Sequence, residues 1–209
     1  MTDIKVVVGA NFGDEGKGLM TDYFCHNATS KNKTCIVVMS NGGAQRGHTV
    51  TLLNGKSHVF QHFSAGTFAH ATTYIPSIFI LNPMQFVKEW GELEELNSIP
   101  KVLMEYDCRW STPFDMIINQ IVEAAREENK HGSCGMGIWE TVYRYDNSFC
   151  PYTLSEFNNL PYENKVNYLH HIRDVYLPGR LKSLGVKDIP SEWKDIISSQ
   201  GLISHFIQD

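Results

Sequence analysis

Residues 9–18 read Gly-Ala-Asn-Phe-Gly-Asp-Glu-Gly-Lys-Gly. They combine flexible backbone, two carboxylates and one cation. A strand-like run precedes them and a helix-like pattern follows. In that setting glycines let backbone N–H groups point at an anion, and the helix N-terminus adds a favourable dipole. Lys17 supplies a mobile positive charge for a phosphate. The common phosphate loop has four residues between its first glycine and the Gly-Lys pair, then a Ser or Thr for magnesium. Here Gly18 follows Lys17, so no hydroxyl is on offer. Asp14 has two competing uses. It is a hard oxygen ligand suited to Mg²⁺, or it is the N-cap of the helix that follows. The plainest alternative for the segment is a glycine-rich surface turn.

Two further glycine-rich stretches follow. Residues 41–49 read Asn-Gly-Gly-Ala-Gln-Arg-Gly-His-Thr, and residues 131–138 read His-Gly-Ser-Cys-Gly-Met-Gly-Ile. His48 is either a proton-carrying group or a strand-edge histidine. The other histidines show no metal-ligand spacing, and the acidic stretch Glu92–Glu95 reads as a solvated helix face.

These loops need elements to hold them. Ile4–Val8 is a β-branched run and predicts a buried strand, as do Cys35–Met39 and Ser77–Leu81. Leu19–His26 has helical spacing. Asn54-Gly55 between two apolar runs, Val50–Leu53 and His58–Phe63, is a hairpin signal. Asn82-Pro83 opens a helix to about Leu96, and Thr112-Pro113 opens another to roughly Asn129. Val102–Glu105 is a further strand. After Cys150 three helical stretches, Leu154–Val175, Leu177–Leu184 and Glu192–Ile207, are punctuated by prolines. The expected fold is α/β, with a mostly parallel central sheet and flanking helices. A nucleotide-binding segment, residues 1–150, would carry a helical extension, residues 151–209, as part of the same domain or as a subdomain.

Composition narrows the function. The chain has 209 residues, 42% hydrophobic and 20% charged, with a net charge of −5. An acidic balance argues against nucleic-acid binding, which needs a basic face. The five cysteines form no CxxC pair and are odd in number, which suggests neither a zinc site nor a disulfide framework. Free thiols fit a reducing cytoplasm. No apolar stretch is long enough to span a membrane, and the N-terminus lacks the pattern of a signal peptide.

Taken together, the three loops resemble those of the adenylosuccinate synthetase family. Gly13–Gly18 is similar to its GDEGKG signature, residues 41–49 to its GG-x-x-x-GHT loop, and Gly132–Ile138 to a loop that closes on the nucleotide substrate. Order and spacing agree over roughly residues 3–145. The form of the third loop and the stretch Phe60–Phe68 look closer to divergent synthetases of phages and some archaea. The resemblance implies a P-loop-NTPase-like core and a two-step reaction. A base removes the N1 proton of a 6-oxopurine nucleotide, IMP or a relative such as dGMP, and O6 attacks the γ-phosphate of GTP or ATP. The amine of L-aspartate then displaces the 6-phosphoryl group. By position Asp14 resembles the base and a magnesium ligand. His48 resembles the acid that steadies the phosphoryl group, and Gly47 offers its carbonyl to Mg²⁺. Gly13, Glu15, Gly16, Lys17, Gly18, Gly47, His48 and Thr49 would line the nucleotide. Asn41, Gln45, Ser133 and Cys134 would hold substrate, the last two near its 5′-phosphate unless they are plain turn residues. Retention of Asp14 favours an IMP-like substrate over dGMP.

The pattern also departs from the family. Gln45 stands where Asn is usual, Arg46 adds a charge expected beside the triphosphate, and Met136 replaces an arginine. The family continues for a hundred residues or more, carrying the aspartate-binding and base-selecting segments; no counterpart of these is found in this sequence, as expected of a fragment of a synthetase or of a naturally short protein. Two readings follow: a synthetase-type ligase, or a catalytically incomplete purine-nucleotide-binding protein or regulatory subunit. A bare nucleoside triphosphatase is a third. A sheet short of strands would leave an open edge, so a homodimer or pairing with another chain is expected.

Overall fold

The computed structural model describes residues 3–11, 13–40, 42–147 and 152–208. Three parallel strands form the central sheet: β1 (Ile36–Val38), β4 (Thr72–Ile75) and β5 (Lys101–Met104), in the order β1-β4-β5. Ile36 lies opposite Thr72, and Thr72 opposite Lys101. A separate antiparallel hairpin joins β2 (His48–Thr51) to β3 (Ser57–Phe60). Its turn holds Gly55 at φ 85°, which L side chains rarely adopt, so the Asn-Gly signal is realised.

Helix α1 (Lys17–Thr29) leaves the first glycine-rich loop. Helix α2 (Pro83–Glu95) starts as its sequence signals: the Asn82 side chain accepts from the Gln85 N–H at 3.1 Å. Helix α3 (Pro113–Ala125) carries a capping box between Thr112 and Asp115. Helix α4 (Ile138–Asp146) follows the third loop. The C-terminal stretches divide into α5 (Leu154–Asn158), α6 (Tyr162–His171), a π-helical turn at Ile172–Tyr176, α7 (Leu177–Ser183), α8 (Ser191–Ser198) and α9 (Gln200–Gln208).

These helices share a core with the sheet. Met39, Ile75, Phe79 and Phe114 belong to the same buried cluster as Phe157, Leu169, Ile172, Leu177, Ile203 and Phe206. Trp110 is its largest fully buried side chain and stacks on Phe206 at 5.7 Å between ring centroids. A buried ion pair bolts the layers together. Arg144 donates to both Asp115 oxygens at 2.9 and 2.8 Å, to the Trp110 carbonyl at 2.9 Å and to the Tyr168 hydroxyl at 3.0 Å. A second, Arg180–Glu140 at 2.7 Å, ties α7 to α4.

Two strand expectations fail. Ile4–Val8 forms no strand, and Ile4, Val6 and Val8 are exposed. A β-branched run becomes a strand only where a neighbour offers its edge, and this run is not registered against β1, β4 or β5. Ser77–Leu81 is a turn followed by single bridges, Gly43 to Ile80 and Leu81 to Trp110. The middle strand is instead Thr72–Ile75, whose two threonines ahead of Tyr74 and Ile75 leave no long apolar run to mark it. A parallel sheet is ordinarily covered on both faces. Here Ile36, Val38 and Leu103 lie uncovered on one face.

Candidate nucleotide site

The first loop turns on glycines and one strained residue. Gly13 and Gly16 have φ of 136° and 75°, and Asp14 sits at φ 55°, uncommon for a residue with a side chain. Asp14 is exposed and does not cap α1; that position belongs to Gly16. The N-cap alternative for Asp14 is therefore set aside. Lys17 is the first residue of α1 and pairs with the Glu15 carboxylate, which also accepts from the Asn11 N–H. The Lys17 contact, then the Asn11 N–H, holds the Glu15 carboxyl below its ordinary range. The Glu15 carboxylate thus occupies the lysine and a loop N–H together.

Gly18 carries the first loop to the second. A Cβ at Gly18 would stand 2.8 Å from the Cβ of His48 and 3.3 Å from its Cα, so only glycine lets α1 approach β2 this closely. His48 is half-buried at the start of β2, and Thr49, next along it, is exposed. Burial, then the charges of Arg46 and Lys17, push the His48 imidazole below its ordinary value. The Lys17 ammonium and His48 are therefore within electrostatic reach of each other.

The second loop joins the third. A Cβ at Gly43 would meet the Ile80 carbonyl oxygen at 2.5 Å and Ile138 Cδ1 at 2.6 Å. Ile138 opens α4 directly after the third loop. Gly47 and Gln45 are exposed, and Asn41 lies outside the described residues. Arg46 turns inward. Its guanidinium donates to the carbonyls of Gln61 and Phe63, the latter at 2.8 Å. Burial lowers its pKa to about 10. The nearby carbonyls hold the Arg46 guanidinium, and its charge acts on His48 through space.

Beneath Arg46 lies a group that spacing alone did not reveal. Glu89 of α2 accepts from the backbone N–H of Gln61 at 2.8 Å and of His62 at 2.6 Å. His58 and His62 face it at 3.5 and 3.4 Å. Desolvation raises the Glu89 carboxyl, but these hydrogen bonds together outweigh it and hold the group near 2. The periodicity of α2 marked position 89 only as helix interior, so no local signal pointed to it.

The third loop rests on one side of α3. Glu123 accepts from the N–H groups of Gly132 at 2.7 Å and Ser133 at 3.3 Å. Asn119 Oδ1 accepts from the Ser133 hydroxyl at 3.0 Å and from Gly137 N–H at 3.2 Å. Gln120 donates to the Gly135 carbonyl at 3.0 Å. Ser133 and Cys134 are both exposed. Desolvation opposes ionisation of Glu123, yet hydrogen bonds from Ser133, Arg126 and Gly132 hold its carboxyl low. Among the described residues no three His, Cys, Asp or Glu side chains gather as a metal cluster. No helix among them is long and apolar enough to cross a membrane.

An α/β fold that brings three glycine-rich loops together, one with a lysine at a helix start, defines the class of phosphate-handling α/β proteins. The family model of adenylosuccinate synthetase matches residues 6–147, and this chain belongs to that family. It is 31% identical to the adenylosuccinate synthetase of Picrophilus torridus over 135 residues, 65% of this chain and 31% of that one. Against the enzyme of Mycoplasma mycoides it is 31% identical over 177 residues, 82% of this chain and 39% of that one. The fully ligated adenylosuccinate synthetase of Plasmodium falciparum has the same fold, with a TM-score of 0.68 at 20% identity, covering 96% of this chain and 42% of that one. The succinoaminodeoxyadenylate synthetase of cyanophage S-2L, solved with dGMP and dATP, matches at a TM-score of 0.50 and 14% identity, covering 80% of this chain and 41% of that one. The chain spans roughly a third of the length of these curated relatives.

Proposed function

We propose that this chain serves purine nucleotide biosynthesis as the phosphoryl-transfer part of an adenylosuccinate-synthetase-type ligase. The reaction condenses IMP, or a related 6-oxopurine nucleotide such as dGMP, with L-aspartate at the expense of GTP or ATP. The observation that carries this reading is the contact of Gly18 with His48, which sets the lysine loop against the histidine loop.

Each role follows from its surroundings. Asp14 is exposed and not committed to capping α1, so it is available to take the N1 proton. His48, depressed by burial and by Arg46 and Lys17, stays neutral at neutral pH. It then donates an N–H to a phosphoryl oxygen rather than acting as a fixed cation. Lys17 exchanges its contact with Glu15 for the triphosphate, beside which Glu15 stays in the loop. Gly13, Gly16, Gly18 and Thr49 line that anion, and Gln45 reaches the substrate. Ser133 and Cys134 lie at the exposed tip of the third loop, where N–H groups and the Ser133 hydroxyl meet the 5′-phosphate. Phosphoryl transfer asks mainly for alignment and charge neutralisation, which these groups supply.

The residues also fit magnesium. Asp14 and Gly47 are exposed. A carboxylate and a backbone carbonyl are the hard oxygens that Mg²⁺ takes beside phosphate oxygens and water. Bound there, Mg²⁺ would neutralise charge on the phosphates. The uncovered face of the sheet, with Ile36, Val38 and Leu103, supports pairing with a second chain.

Phosphate release from the purified chain tests the reading. With Mg²⁺, GTP or ATP, and IMP or dGMP, release should need aspartate and vanish in Asp14→Ala. Release indifferent to purine and aspartate would replace the ligase with a triphosphatase. No release, with a nucleotide-induced rise in melting temperature, would leave the second reading, a binding protein.

A further inference from the structure

We propose that Cys25 and Cys35 form a reversible disulfide, an oxidation-sensitive modification site joining α1 to the start of β1. The two sulfurs lie 3.2 Å apart without a bond between them. A disulfide is about 2.05 Å long, so closure asks for roughly 1 Å of travel.

The surroundings aim the two groups at each other. Cys25 is 2% exposed and packs with Ala69, Ala71, Cys35 and Val37. Behind it stands Gly66, where a Cβ would come within 2.4 Å of the Cys25 sulfur. The absence of that carbon gives Cys25 its seat, and the wall it forms leaves the sulfur facing Cys35. Cys35 itself is half-buried and reachable from solvent.

That asymmetry orders the chemistry. A hydroperoxide is the oxidant. The Cys35 thiolate attacks its terminal oxygen, the O–O bond breaks, and an alcohol or water leaves, giving a sulfenic acid on Cys35. The Cys25 sulfur then attacks the Cys35 sulfur. An S–S bond forms, the S–O bond breaks, and the departing hydroxide takes the Cys25 proton as water. Two thiols thus lose two hydrogens and two electrons to one hydroperoxide. Burial, and then Cys35, raise the Cys25 thiol, so Cys25 does not react with solvent oxidant first. Cys134 is exposed and Cys108 buried, and each is a free thiol.

The bond would staple α1, which begins at Lys17, to the strand that leads into the second glycine-rich loop. A short covalent loop removes freedom chiefly from the unfolded chain, so oxidation should raise the melting temperature. This inference stands apart from the proposed reaction and survives its failure.

Peptide mapping tests it. The full chain is treated with hydrogen peroxide, its remaining thiols are alkylated, and the digest is weighed. The expected result is a linked Cys25–Cys35 peptide, lighter by two hydrogen atoms and restored by dithiothreitol. The accompanying rise in melting temperature should be absent in Cys35→Ser and present in Cys134→Ser. Recovery of Cys25 and Cys35 both alkylated, or of Cys35 as a sulfinic acid with no link, overturns the proposal. Because the map is made on the unaltered chain, it decides the matter even if Cys35→Ser folds poorly.

Discussion

Gly18 and His48 touch backbone to side chain: a methyl group on Gly18 would lie 2.8 Å from the His48 Cβ. Two loops that are remote in sequence are held together by a missing carbon atom. Alanine favours helices by about 1 kcal/mol over glycine, but forcing a methylene into a packed contact costs about 1–3 kcal/mol. Here the blocking atoms are the stem and backbone of His48, which cannot swing away. Gly18→Ala should therefore lower the melting temperature and abolish nucleotide-induced stabilisation. Unchanged thermal shifts with GTP and ATP would show that the contact is not needed.

His48 should titrate below the ordinary imidazole range, because burial, Arg46 and Lys17 all disfavour its charged form. Lys17→Met removes one of these and should move the midpoint upward. Histidine ring resonances followed by NMR from acid to neutral pH report this directly. A midpoint at or above that of a free histidine would contradict the burial.

Glu89 links stability to pH. Its carboxyl is held near 2, against an ordinary value of 4.5. A depressed folded value means stability present above about 4.5 and lost as pH falls toward 2. The shift corresponds to about 3 kcal/mol. Glu89→Gln should be destabilised by that order at neutral pH, with the gap closing between about pH 5 and pH 2. Denaturant titrations of both proteins across that range supply the measurement.

Arg144 and Asp115 are both shut away from solvent, each side chain at 0% exposure. Removing one partner leaves an uncompensated buried charge, worth about 3–5 kcal/mol. Arg144→Leu should lower the melting temperature by about 10 °C. A loss of only a few degrees would mean that Asp115 finds a proton or a substitute partner.

Glu123, Asn119 and Gln120 clamp the third loop from α3. Glu123→Gln keeps the shape but loses the charge that accepts from Gly132 and Ser133. Backbone amides of residues 132–137 should exchange with deuterium faster, and affinity for IMP should fall about tenfold, equivalent to about 1.4 kcal/mol. Faster exchange with unchanged affinity would separate loop order from binding.

Local chemistry by itself determined much of this protein. Positive φ at Gly13, Gly16 and Gly55, the Asn82 cap and the Thr112–Asp115 capping box depend on neighbours within a few residues, so they are legible in order of appearance. The same holds for the three glycine-rich loops and hence for the family. Pairing and burial are different, because they depend on residues far away in the chain. Ile4–Val8 has the composition of a strand yet pairs with none of β1, β4 and β5, while Thr72–Ile75 has a weaker pattern and lies in the middle of the sheet. Arg46 shows in its loop only as an added charge, and nothing nearby in sequence shows that the carbonyls of Gln61 and Phe63 hold it. Glu89, the α3 clamp and the meeting of Cys25 with Cys35 have no local signature. Only the tertiary structure decided them, since buried polar groups must find partners wherever packing places them.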